Sequence, residues 1–62
     1  MYKIITDEQM NQIIDDYLTS KIIINDKFLS RRENQYFALD MTNNHYSIEL
    51  FDDKQLAKEF LR

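Results

Sequence analysis

No glycine, proline, cysteine or tryptophan occurs in these 62 residues. At ordinary usage, roughly seven glycines and prolines would be expected in a chain this long. Without glycine there is no Walker-type phosphate loop and no dinucleotide fingerprint, because both bring bare backbone against phosphate. Without cysteine there is no disulfide framework, no thiolate nucleophile and no zinc knuckle. A small domain lacking such staples fits a reducing compartment, so a cytoplasmic setting is the expectation. Long apolar runs are missing too. Ile22-Ile23-Ile24 and the slightly longer Tyr36-Phe37-Ala38-Leu39 fall far short of the roughly 20 residues that span a bilayer. The first residues do not read as a signal peptide, since Asp7 and Glu8 follow Ile4-Ile5 almost at once.

What is present points to one small folded domain, residues 1–62. Hydrophobic residues make up 44% of the chain and aromatics 13%, too apolar for a disordered segment. Eight Lys+Arg stand against eleven Asp+Glu, a formal net charge of −3. A chain of this size removes only about 60% of its unfolded surface from water. Marginal stability as a monomer, or support from a partner or a second copy, is therefore expected.

Thr6-Asp7-Glu8-Gln9 fits a capping box. Met10, Ile13, Ile14, Tyr17 and Leu18 then recur at helical spacing, predicting a helix over about 7–19. Residues 36–41 and 46–51 are rich in strand formers and flank Asn43-Asn44, the residues that best tolerate positive φ when glycine is absent. That turn sets Met41 opposite Tyr46, Leu39 opposite Ile48 and Phe37 opposite Leu50 on an apolar face. Asp40–Ser47, Ala38–Glu49 and Tyr36–Phe51 share the other, mostly polar face. Asp52 or Asp53 caps a second helix over about 53–61. Tyr2–Ile5 reads as a short strand and Lys21–Asn25 as another, while residues 26–35, with Lys27, Arg31, Arg32 and Glu33, read as a charged turn or loop. The expected fold is α+β: a small antiparallel sheet with both helices packed on its one apolar face.

Few residues offer chemistry. His45 is the single histidine and sits beside a hairpin tip, with Asp40 and Ser47 nearby but no pocket wall. Asp7-Glu8, Asp15-Asp16 and Asp52-Asp53 are sequence neighbours, which diverge by about 100° on a helix and so form no joint acid–base site. No spacing matches a metal loop. The reading is a non-enzyme with no catalytic residue, no metal and no cofactor. Arg31-Arg32 with Lys27 is too small a basic cluster for direct nucleic-acid binding, and no membrane partner is implied. With both helices on the apolar face, Tyr36 and Phe51 would be exposed beside Glu49, as on contact surfaces. Tyr36, Glu49 and Phe51 are accordingly the first partner-binding candidates, and the acidic helix positions Asp15 and Asp16 the second. Open sheet edges also invite pairing with another chain, which keeps a structural homodimer or a small regulatory subunit as an alternative. A third reading is an acidic DNA mimic built from Asp7, Glu8, Asp15, Asp16, Asp52 and Asp53.

The stretch from Tyr36 to Leu61, YFALDMTNNHYSIELFDDKQLAKEFL, resembles a recurrent pattern in small phage and prophage proteins of low-GC bacteria. A hairpin ends in an aromatic-acid step and runs into a short helix of the type xxLAxxFL. Some anti-CRISPR proteins are similar in this region, which covers under half of the chain. The resemblance implies a host-directed protein that binds a host protein or complex in the host cytoplasm and inhibits a nuclease or defence complex by steric occlusion. It transfers no functional residue.

Overall fold

A computed structural model describes every residue from Met1 to Arg62. The elements run β1 (Lys3–Ile4), α1 (Asp7–Ser20), β2 (Lys27–Arg32), β3 (Gln35–Asp40), β4 (Ser47–Phe51) and α2 (Lys54–Phe60). They make an α+β fold with a four-stranded sheet in the order β1-β2-β3-β4. β1 lies parallel to β2, linked through α1, and the other two pairings are antiparallel.

Helix α1 starts where the capping box dictates. The Thr6 Oγ1 accepts the Gln9 N–H at 3.1 Å and the Gln9 Oε1 accepts the Thr6 N–H at 2.9 Å, satisfying two donors the helix start would otherwise orphan. The helix ends at Lys21, which takes a left-handed conformation (φ 56°, ψ 31°) and donates its N–H to the Tyr17 carbonyl at 2.8 Å. That reversal is why residues 21–25 form no strand, contrary to their β-branched composition. Ile23 alone turns into the core, and Ile22 and Ile24 stay exposed.

The β3–β4 hairpin has the expected register: Tyr36–Phe51, Phe37–Leu50, Ala38–Glu49, Leu39–Ile48 and Asp40–Ser47. Asn43 and Asn44 both adopt positive φ (56° and 61°), and the His45 N–H donates to the Thr42 carbonyl at 3.0 Å, as a type I′ turn requires.

Residues 26–35 differ from their expected loop. They form β2 and a tight connection, with Arg32 paired to Gln35 across Glu33-Asn34. The strand sits inside the sheet with a helix on each side, so Phe28, Leu29 and Ser30 are buried in succession. Alternating polarity, the usual mark of a strand, is lost there.

The helices lie on opposite faces of the sheet, not on one. Met10 of α1 packs with Phe28, Leu39 and Met41. Ala57 and Leu61, at the α2 end of the chain, pack with Leu29 and Ala38, which point the other way. The second face is polar only near the turn, at Asp40, Ser47 and Glu49. Its far end is apolar, and α2 begins there after only Asp52-Asp53, with the Asp53 carboxylate accepting the Gln55 N–H at 2.7 Å. The accessible surface of 4355 Å² is close to the ~4,300 Å² expected of a compact monomer of this mass. Exposed apolar groups therefore do not reflect an incompletely collapsed chain.

Candidate interaction edge

The position of α2 changes the surroundings of the expected contact residues. Tyr36 and Phe51 are half-buried and pack into the α2-side core; Phe51 meets Phe60 with ring centroids 5.7 Å apart. The Arg31 guanidinium stands 5.9 Å from the Tyr36 ring centre. The exposed aromatic pair expected on this face is thus covered by a helix. Glu49, opposite Ala38 on β4, remains exposed. On α1, Asp15 is exposed, whereas Asp16 is half-buried and accepts a hydrogen bond from Gln12 Nε2 at 2.8 Å. These acids lie on a different element from Glu49 and Phe51, so the five candidates form no single surface cluster.

Other charged residues have structural work. Arg32 donates from Nε to both Asp7 carboxylate oxygens (3.0 and 3.1 Å) and from a terminal nitrogen to Asn11 at 2.8 Å. Lys3 pairs with Asp26 at 2.9 Å. The Lys3 ammonium and then the Lys27 N–H hold the Asp26 carboxyl below its ordinary value. Burial opposes ionisation of Asp40, yet the Thr42 hydroxyl and N–H, donating to the same oxygen at 2.6 and 2.9 Å, lower its pKa. Asp40 thereby pins the turn. His45 is exposed beside it. Tyr46 stacks on Tyr17 with ring centroids 4.0 Å apart, and its pKa is raised by burial and then by the neighbouring Tyr17. No group of three His, Asp or Glu side chains is placed to hold a metal ion, and no helix is long and apolar enough to cross a membrane.

The feature that composition did not single out is the outer side of β4. The Leu29 carbonyl faces β1, where it accepts the Ile5 N–H at 2.9 Å. Backbone groups alternate sides along a strand, so Phe28 and Ser30 face β3, opposite Leu39 and Phe37. In β3, Tyr36, Ala38 and Asp40 then face β4, where Phe51, Glu49 and Ser47 complete the pairs. The N–H and C=O groups of Ile48 and Leu50 are left pointing outward. No turn, loop or side chain hydrogen-bonds to any residue of Ser47–Phe51. Leu50, 43% exposed, flanks these groups on the α1 side, and Glu49 is exposed on the α2 side. Protected edges carry proline, a bulge or a run of charge; this strand has one carboxylate.

Compared with family models, curated proteins and solved structures, the chain matches none. The fold and this edge define a small α+β domain whose sheet is open along β4.

Proposed function

We propose that this chain is a non-enzymatic protein-binding module that takes an extended segment of its partner onto β4. The observation that carries the reading is the row of outward Ile48 and Leu50 backbone groups, free of any intramolecular hydrogen bond. An added strand gains main-chain hydrogen bonds there, while side chains on alternate positions supply selectivity. The fitting segment has an apolar residue over Leu50 on one face and a basic residue opposite Glu49 on the other. Phe51 helps from beneath, by holding the end of β4 against Phe60.

The phage-type hairpin–helix resemblance supplies the class of partner on this reading. It is a host nuclease or defence complex, inhibited by occlusion when the domain sits on one of its strands. Acidic mimicry of DNA has less support, because Asp7 is neutralised by Arg32 and Asp53 caps α2.

Strand parity provides the test. Leu50→Pro removes an outward N–H and leaves the β3 ladder whole, whereas Glu49→Pro removes a ladder donor and unsettles the fold. Tagged wild-type and Leu50→Pro proteins are used to capture bacterial lysate proteins, with and without competitor DNA. The reading expects one protein or complex retained by the wild type in the presence of DNA and lost with Leu50→Pro. Equal capture by both would refute the edge. Displacement by DNA would favour mimicry, and self-association at dimer mass, abolished by Leu50→Pro, would favour the homodimer.

A further inference from the structure

A cavity of about 270 Å³ opens on the far side of the sheet, where β1 stops short. β1 pairs only with Phe28 and Leu29, so β2 has a free outer side from Arg31 onward. The next rung of that ladder, from the Arg31 N–H to the Ile5 carbonyl, is not made. Its apolar part comes from the exposed Ile4 and the buried Leu29, with Tyr36 beside them. Arg31 and Lys54 contribute its cationic groups, and neither has a carboxylate partner. Asp7 also reaches the lining, but both its oxygens are held by Arg32. Ser30 also lines the cavity, and its buried hydroxyl has no hydrogen-bond partner. In a chain of net charge −3, this is a local concentration of cationic groups without a carboxylate partner, although Arg31 Nε donates to the Glu33 carbonyl at 2.9 Å.

We propose that this cavity binds a small organic carboxylate with an apolar body. The volume corresponds to about nine waters at ~30 Å³ each, enough for a single ring bearing a carboxylate. The apolar body rests on Ile4 and Leu29. The carboxylate accepts from the Arg31 N–H, taking the place of the missing rung, and from the Arg31 guanidinium and Lys54 ammonium. Charge-assisted hydrogen bonds of this kind are stronger than neutral ones, and the planar guanidinium suits a carboxylate's two oxygens.

The test titrates the whole ¹⁵N-labelled protein with benzoate, benzamide and inorganic phosphate, following backbone amide shifts. Benzoate is expected to give saturable shifts confined to residues 4–7 and 29–31, Tyr36 and Lys54. Benzamide, with the same shape and no charge, should bind about tenfold more weakly, as should Arg31→Gln and Lys54→Gln proteins with benzoate. The wild-type comparison of benzoate with benzamide does not depend on any variant folding. Absence of saturable benzoate shifts, equal binding of benzamide, or binding of phosphate as tight as that of benzoate would each overturn the proposal.

Discussion

Glu33→Gly should make this protein more stable. Glu33 is the first central residue of the β2–β3 connection and has φ 54°, while Asn34 has negative φ. That pairing of signs belongs to a turn whose first position is ordinarily glycine. A left-handed conformation costs an L-residue about 1–2 kcal/mol, and glycine's greater freedom in the unfolded chain takes back about 0.5–1 kcal/mol. The net gain lies between zero and about 1.5 kcal/mol, centred at about 0.75 kcal/mol. The Glu33 side chain is exposed, and the contact made here, Arg31 Nε donating to the Glu33 carbonyl at 2.9 Å, uses backbone that glycine retains. In a domain this size about 1 kcal/mol moves the melting temperature by roughly 4–8 °C, so a rise of about 2–8 °C is expected. Thermal and urea unfolding followed by far-UV circular dichroism provide the measurement. The urea midpoint should rise with no change in slope. Glu33→Ala keeps the Cβ and should change stability by no more than about 0.5 kcal/mol. If Glu33→Gly were no more stable than Glu33→Ala, the strain assigned to this turn would not exist.

Two further outcomes follow from the buried polar groups. Ser30→Ala should be neutral or stabilising by about 1 kcal/mol, since it removes a buried hydroxyl without a partner; a clear loss of stability on urea titration would show that the hydroxyl is satisfied in solution. Asp40 and Asp26 both have pKa values lowered from 3.8. Groups depressed on folding contribute stability that is fully present above the unfolded pKa and lost as pH falls through the folded one. Stability should therefore hold down to about pH 5 and decline below about pH 4, with a shallower acid decline in Asp40→Asn. An acid limb identical in wild type and Asp40→Asn would contradict the role given to the Thr42 hydrogen bonds.

The parts of the fold legible in the sequence are those where local chemistry decides. Thr6 and Gln9 announce α1, Asn43-Asn44 sets the β3–β4 register, and Asp53 starts α2. The parts that were not legible depend on what lies above and below the sheet. Phe28, Leu29 and Ser30 are buried in succession because helices cover both faces, and their connection to β3 turns at Glu33 without a glycine to mark it. The same missing information misplaced α2. Asp40, Ser47 and Glu49 make one hairpin face polar near its turn, while Tyr36, Ala38 and Phe51 make its other end a docking surface. Of the expected contact residues, Glu49 and Asp15 are exposed, and Tyr36 and Phe51 serve the core as well. The outward backbone of Ile48 and Leu50 leaves no trace in residue types. It follows only from strand order and register.

Amide hydrogen exchange along β4 tests that edge most directly, measured on the free protein and on the protein bound to the partner it captures. In the free protein, Ile48 and Leu50 should exchange rapidly while Glu49 and Phe51, bonded to β3, exchange slowly. In the complex, Ile48 and Leu50 should become at least about tenfold slower, the mark of a newly paired strand. Unchanged exchange at these two amides, with protection arising elsewhere, would contradict the account.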